Sequence, residues 1–289
     1  MNEPAYLIVN ADDYGYSDGI SRGILDGGKE GLITATGVIA NSYHCDKHLQ
    51  WLKDAPYLDV GVHLTLTCGR PISGRMKHRM ARWQGRFPGK YSIASEVLTS
   101  RLPVKDILEE WRAQIERCKG AGIELLFLNT HEHLHALPPL FSAVLKLAKE
   151  YGIPHVRCPE PEWRGWRGME GMVRNTILHF LHLINHARIP DGTPKLLGIA
   201  ESGKLSLNYL KHRLASLRKG EVYELMCHPG YADPEEIKDP RLCSYHNWQE
   251  ELDLLKSGEF RSLCDVWGIQ VVRYTDIQGN ASKKTVQAE

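Results

Sequence analysis

The sequence predicts an α/β fold, a distorted or incomplete (β/α) TIM-like barrel with loop insertions. Two observations carry this prediction. Short β-rich runs alternate with helical patterns along most of the chain, and this repeated order implies a parallel sheet with helical crossovers. About eight such units are present, which is the number that suits a barrel. A doubly wound open sheet is the alternative, but no glycine-rich phosphate-binding fingerprint follows any predicted strand.

Eight strands are predicted from short apolar runs. In chain order they are Tyr6–Asn10, Thr34–Ala40, Asp59–Leu66, Leu125–Asn129, Pro154–Arg157, Leu196–Ala200, Val222–Met226 and Gln270–Tyr274.

Helical patterns lie between these runs. The clearest spans Val104–Ala121, where apolar residues recur at helical spacing, and glycines end it. Pro138 and Pro139 open a helix that runs to Tyr151, and Gly152 closes it. The remaining patterns are about Ser17–Glu30, Tyr209–Leu217 and His246–Ser257.

The domain prediction is one catalytic barrel domain over residues 1–278, with a disordered polar tail at 279–289. Insertions near 69–103 and 158–194 break the rhythm and are placed on strand-to-helix loops, where barrels carry specificity. Substrate contact is one interpretation of them. The alternative is that they pack on the surface or form a dimer contact, for which the amphipathic Met172–Ile184 segment is the candidate in a homodimer.

Composition excludes several classes of protein. A net charge of +1 over 289 residues predicts no broad attraction to nucleic acid or to membranes. No apolar run approaches the roughly 20 residues that span a bilayer, and the N-terminus lacks the features of a signal peptide. The seven cysteines are scattered singly, as expected for reduced thiols. A cytoplasmic protein is therefore expected.

Candidate catalytic groups fall at strand ends. Asp12 and Asp13 follow the first strand, His63 lies in or at the end of the third, and His228 follows the seventh. A cluster of three histidines follows the fourth strand: His131, His133 and His135. If that cluster stays extended, all three imidazoles share one face. Each residue also has a structural interpretation: the aspartates could build a turn, His63 could be a core histidine, and His228 could start a turn.

Together these residue types indicate a metal-dependent hydrolase. Carboxylate oxygen and imidazole nitrogen, delivered from separate strand ends, make a site for a divalent metal ion. A second carboxylate beside a ligand carboxylate can act as a base. An imidazole suits the role of acid, because its ordinary pKa of about 6.5 lies near physiological pH.

Four segments resemble the signature blocks of the YdjC-type carbohydrate deacetylases, a family that includes chitooligosaccharide deacetylase and the deacetylase of hopanoid biosynthesis. They are Asn10–Gly15, Gly61–Leu64, Thr130–His135 and Glu224–Gly230, in the family's order, and the resemblance runs from about Tyr6 to Leu255. Tyr14 stands where the family usually has phenylalanine.

The resemblance implies a distorted (β/α) barrel, one divalent metal ion (zinc or magnesium) and hydrolysis of an acetamido group on a sugar. It implies that Asp13, His63 and His131 are the metal ligands, that Asp12 is the general base and that His228 is the general acid. His133 and His135 are left as supporting or substrate-contacting groups, and the choice among the three clustered histidines stays open. Arg157, which ends the fifth strand, is expected to pair with a carboxylate or to contact the substrate.

Three alternatives remain. A metal-dependent phosphoesterase or another amidohydrolase would commonly carry a His-x-His pair on its first strand, where this chain has carboxylates. A non-catalytic carbohydrate-binding barrel would have no need of both a base and an acid. A nucleic-acid surface could use arginine and tryptophan side chains of the two insertions, but the near-neutral charge disfavours it. These side chains are Arg82, Trp83, Arg86, Trp163, Arg164, Trp166 and Arg167.

Overall fold

A computed structural model describes residues 3–163, 168–238 and 240–277. The chain divides into two compact units. The first comprises residues 1–36, 54–59 and 194–289, and the second comprises residues 37–53 and 60–193. The prediction of a single domain over 1–278 stays a prediction, and the predicted tail lies outside the described residues. No helix in the described ranges is long and apolar enough to cross a bilayer.

The first unit is built on parallel strands. Strand β1 (Ala5–Tyr14) is paired on one side with β7 (Val222–Cys227) and also pairs with β8 (Ile269–Val271). Strand β6 (Lys195–Leu197) pairs with the far side of β7. The helices of this unit are α1 (Asp18–Lys29), α8 (Leu207–Leu214), α9 (Pro240–Tyr245), α10 (Trp248–Lys256) and α11 (Gly258–Trp267).

The second unit repeats this architecture. Its strands β3 (Asp59–Leu64), β4 (Phe127–Thr130) and β5 (His155–Val156) pair in parallel in that order. The boundary between the two units lies within strand β2 (Ala35–Val38). The helices are α2 (Cys45–Lys53), α3 (Gly74–Met80), α4 (Lys90–Leu98), α5 (Val104–Gly120), α6 (Pro138–Tyr151) and α7 (Gly168–Asn185).

Local chemistry explains where these helices begin and end. Ser17 caps α1 by accepting the backbone N–H of Ile20, and Ser257 caps α11 in the same way. Two prolines open α6, and Gly152 ends it in the left-handed conformation (φ 66°). These signals act over a few residues; those of α6 were readable from the sequence, whereas α11 was missed despite its cap.

The predicted fold class, α/β with the parallel strands and helical crossovers of a distorted or incomplete (β/α) barrel, is confirmed. All eight predicted strands overlap observed ones. Five helices were missed: α2, α3, α4, α9 and α11. Four of these have nine residues or fewer, too short for helical periodicity to stand out. The insertion near 69–103 holds α3 and α4, and the insertion near 158–194 holds α7.

Candidate functional site

In the first unit, the end of β1 carries the two adjacent carboxylates. Asp12 and Asp13 are the eighth and ninth residues of the strand and are 2% and 5% exposed. Asp13 adopts the left-handed conformation (φ 68°), which is uncommon for a residue other than glycine. Its carbonyl accepts the N–H of Tyr16 at 3.0 Å in the turn that leads into α1. Such backbone strain is typical of functional sites.

The neighbouring strand β7 leads to His228. Ala11 pairs with Cys227, so Asp12 and His228 are the next residues along two adjacent parallel strands. His228 is buried, and its backbone N–H donates to Oε2 of Glu251 at 2.6 Å. Its ring centroid lies 4.8 Å from that of His246, which stacks on Trp248. The imidazole is therefore held on a fixed backbone beside an aromatic stack.

Two buried glutamates support these strand ends. The Nδ2 of Asn10 donates to Oε1 of Glu224 at 2.8 Å, which ties β1 to β7 through side chains. Glu251 accepts the backbone N–H groups of Leu205 and His228. Burial raises the pKa of the Glu251 carboxyl above its ordinary value, and the nearby His228 together with both N–H donors opposes that rise.

In the second unit, two imidazoles lie close together. The His63 and His131 ring centroids are 5.6 Å apart in an edge-to-face arrangement. His63 Nδ1 donates to Oδ1 of Asn129 at 2.7 Å, and His131 Nδ1 is 2.7 Å from Oγ1 of Thr67. With Nδ1 as the donor, the lone pair of each ring is on Nε2. This is the tautomer in which histidine binds a metal while a partner on the other nitrogen fixes the ring.

The loop that carries Thr67 is anchored by two buried side chains of α5. Gln114 Oε1 accepts the N–H of Thr65 at 2.9 Å, and its Nε2 donates to the carbonyl of the same residue at 2.9 Å. Glu110 accepts the N–H groups of Ile72 and Ser73 and a further hydrogen bond from Gln114. Both α5 side chains are 0% exposed, so this loop is held by solvent-shielded hydrogen bonds.

The histidine cluster after β4 is not extended. Residues His131–Ala136 form a 3-10 turn in which Glu132 and His133 have φ values of 55° and 53°. The three imidazoles therefore do not line up on one face as they would on a strand. His135 is fully buried: its Nδ1 lies 2.6 Å from Oγ1 of Thr130, and its Nε2 lies 2.8 Å from the carbonyl of Arg157.

His135 thus uses both ring nitrogens to join the turn to the end of β5. Arg157 is itself 2% exposed, and its backbone N–H donates to the carbonyl of Leu128. His133 is partly exposed on the turn. The three histidines therefore have different surroundings, a difference that the sequence did not indicate.

The donor chemistry of each unit fits a divalent cation. The second unit offers the anchored imidazoles of His63 and His131, and the first unit offers buried carboxylates at the end of β1. Within the part of the chain that the structure describes, no group of three or more His, Cys, Asp or Glu side chains forms a ready-made metal cluster.

Sequence reasoning missed the residues that hold the imidazoles in place. Asn129 directly precedes the Thr130–His135 block, and Thr67 stands four residues after His63. Glu110 and Gln114 are spaced i, i+4 on α5 and were not identified among its inward-facing residues. A polar pair at helical spacing beside an apolar stripe is the only signal that could have indicated them.

Comparisons with known proteins agree with the motifs. The YdjC-like protein family matches residues 6–266. A carbohydrate deacetylase of Brevibacillus brevis is 30% identical over 271 residues, which cover 94% of this chain and 99% of that protein. A chitooligosaccharide deacetylase of Klebsiella pneumoniae is 28% identical over 277 residues, covering 94% and 98%.

A solved structure from Enterococcus faecalis, provisionally named a cellobiose-phosphate cleavage protein, shares the fold. Its TM-score is 0.71 at 24% identity, and the match covers 95% of this chain and 99% of that one. The match to the family extends over most of the chain and includes all four blocks that carry the candidate residues. The chain belongs to the YdjC-like family.

Proposed function

We propose that this protein is a metal-dependent hydrolase that removes the N-acetyl group from an acetamido sugar or a short sugar oligomer. Similarity to proteins named carbohydrate deacetylase and chitooligosaccharide deacetylase, over almost their whole length, supports the reaction class. The observation that carries the metal-dependent form of the proposal is the imidazole pair of His63 and His131, each with its Nδ1 held by a neighbouring side chain.

In this proposal Asp13, His63 and His131 bind one divalent cation, zinc or magnesium. A carboxylate and two imidazoles accept either metal. Bound there, the cation supplies Lewis acidity, which polarises an amide carbonyl and lowers the pKa of water from about 15.7 towards roughly 7. Asn129 Oδ1 accepts from His63 Nδ1 and so keeps that ring in the tautomer that the cation needs, and Thr67 Oγ1 would accept from His131 Nδ1 in the metal-bound form.

The remaining chemistry is done by side chains of the first unit. Asp12 accepts a proton from the attacking water, and His228 donates a proton to the departing amine nitrogen. Both residues are buried, so competing exchange with bulk water is limited. The hydrogen bond from the His228 backbone to Glu251 keeps His228, the general acid of this proposal, in place. Arg157, close to the same turn as His135, remains predicted to pair with a carboxylate or to contact the substrate.

Acetate release from N-acetylglucosamine oligomers tests the proposal. Chelated protein should release no acetate, and zinc or magnesium should restore release. Asp12→Asn should lower turnover by about 10²–10⁴-fold while the protein still binds metal. Asp54→Asn, the same change at an exposed position of the same unit, should behave as the parent protein. Turnover of Asp12→Asn at the parent rate would show that the base is wrongly assigned.

Metal titration tests the ligand assignment separately. His63→Ala and His131→Ala should each lose metal affinity, because each removes an imidazole ligand. His212→Ala, a histidine outside the four motif blocks, is the control. Phosphate release without acetate release would favour the phosphoesterase alternative. Metal binding with no turnover of any acetamido sugar would favour the non-catalytic carbohydrate-binding alternative.

A further inference from the structure

Tyr43 extends into solvent from the loop between β2 and α2. Its side chain is 94% exposed, the largest fraction among the large hydrophobic side chains in the ranges that the structure describes. Its ring meets the ring of His44, which is also exposed, edge-to-face at 4.8 Å between centroids. An aromatic side chain buries about 150–250 Å² when it is covered. Tyr43 gains almost none of that stabilisation within its own chain, so the fold itself does not account for an aromatic residue at this position.

The loop that carries this side chain is fixed by two sets of hydrogen bonds. Asn41, itself 7% exposed, donates through Nδ2 to the carbonyls of Cys68 and Arg70 at 2.9 and 3.1 Å, which ties the loop to the segment after β3. A second tie comes from α5, where Nη1 of Arg117 donates to the carbonyl of Ala40 at 3.0 Å. A preorganised loop loses little conformational entropy when a ligand binds to it, so more of its contact energy contributes to affinity.

The β2–α2 segment borders the imidazole pair of the second unit at two points. A Cβ at Gly37 in β2 would lie 3.1 Å from the Cβ of His63, so the end of β2 lies against that histidine. The segment after β3, to which Asn41 is bonded, also holds Thr67, whose Oγ1 is 2.7 Å from Nδ1 of His131. The exposed tyrosine stands two residues beyond Asn41, and two residues span at most about 7 Å. It therefore lies at the rim of the imidazole pair.

The exposed side chains of Tyr43 and His44 suit a pyranose ring. One face of a pyranose consists of C–H groups, which carry partial positive charge and complement the negative face of an aromatic ring. Hydroxyl and acetamido groups surround the edge of the sugar, where the phenol oxygen and the imidazole can exchange hydrogen bonds with them. Tyrosine supplies a broad, rigid contact area at a small cost in conformational entropy. Polar groups beside an aromatic surface are typical of small-molecule sites.

We propose that Tyr43 and His44 form a subsite that binds a second sugar unit of the substrate, beside the unit whose N-acetyl group is removed. The inference rests on the proposed function and narrows its substrate class to oligomers of N-acetylated pyranoses. The next unit of a linear oligomer leads away from the buried strand ends towards the rim, where the two rings stand. A free monosaccharide bound at the imidazole pair does not extend that far, so the subsite selects for chain length.

Calorimetric titration of the zinc-loaded Asp12→Asn protein tests the subsite, because turnover by this variant is expected to be slow. The probes are N-acetylglucosamine and its linear trimer, triacetylchitotriose. Adding Tyr43→Ala should reduce the preference for the trimer, measured as the ratio of the two dissociation constants, about 3–10-fold. Tyr43→Phe keeps the ring and should retain most of the preference. Trp267→Ala is the control, because Trp267 is 45% exposed and directly precedes β8, at the edge where the strands begin, and it should leave the ratio unchanged.

The subsite is refuted if Tyr43→Ala leaves the ratio unchanged, if it weakens the binding of both sugars equally, or if the zinc-loaded protein binds no trimer at millimolar concentration. These outcomes are separable from failure of the proposed reaction. Acetate release by the parent protein, with no effect of Tyr43→Ala on the ratio, would remove the subsite alone. Trimer binding that depends on Tyr43, without acetate release by the parent protein, would remove the proposed reaction and leave the subsite in place.

Discussion

Replacing Gln114 with alanine should destabilise the protein far more than its uncharged side chain suggests. Gln114 is fully buried on α5 and makes three hydrogen bonds, two with the backbone of Thr65 and one with Glu110. Thr65 is itself 1% exposed, so its N–H and carbonyl would lose their partners without gaining water. Each unsatisfied buried group costs about 1–3 kcal/mol. With the lost packing included, we expect the free energy of unfolding to fall by about 3–5 kcal/mol.

The matched control is Gln249→Ala. Gln249 is also a helical glutamine with an i,i+4 hydrogen bond to an acidic residue, Asp253, at 2.9 Å, but this pair is exposed. Its loss should cost about 0.5 kcal/mol or less. Urea titrations followed by circular dichroism measure both values. Gln114→Met keeps most of the side-chain volume but removes the hydrogen bonds. It should therefore show most of the stability loss of Gln114→Ala.

Gln114→Ala should also weaken metal binding, because Gln114 anchors the loop that presents Thr67 to His131. If Gln114→Ala cost no more than Gln249→Ala, the loop would not depend on these buried hydrogen bonds. The proposed route by which α5 orients His131 would then be wrong.

Two further predictions concern the first and second units in turn. Gly23→Ala should cost about 1–3 kcal/mol, because its Cβ would lie 2.7 Å from the Cα of Gly230 in the backbone that follows His228. Gly120→Ala, where a Cβ meets nothing within 4 Å, should be neutral or stabilising in the same urea titration. Burial raises the pKa of Cys45 from 9.0 to about 11. As the pH rises, the thiol therefore loses its proton in the unfolded chain before it does so in the folded protein. The contribution of this group to the free energy of unfolding falls between pH 9 and 11 by up to about 1.4 kcal/mol per pH unit. Cys45→Ala should reduce that slope, and an unchanged slope would contradict the assignment.

Much of the fold was readable from local sequence patterns. The eight strands and the helices α1, α5, α6, α8 and α10 follow from periodicity and from capping residues, which act within one element. The association of Asp12, Asp13, His63 and His131 with strand ends was readable in the same way. The missed helices α3 and α4 lie in the arginine-, glycine- and proline-rich insertion, where short elements leave little periodic signal.

The residues that hold the imidazoles of the candidate site in place could not be predicted from the sequence, because their roles depend on contacts between residues far apart in the chain. Asn129 meets the His63 ring across 66 positions of sequence, and only the β3–β4 register brings them side by side. Thr67 meets His131 across 64 positions. The histidine cluster is not extended, because Glu132 and His133 adopt left-handed backbone angles, which the residue types do not indicate.

Helix α7 shows most clearly which features the sequence determines and which depend on tertiary structure. Its amphipathic pattern was evident from the sequence, since side-chain order along a helix determines which residues share a face. Which face turns inward was decided by tertiary structure: Leu178 and the hydrogen-bonded asparagines Asn175 and Asn185 are buried against the protein, and apolar residues of the opposite face such as Phe180 are exposed. Periodicity is a local property of the chain, whereas the partner of a face depends on the packing of the whole unit.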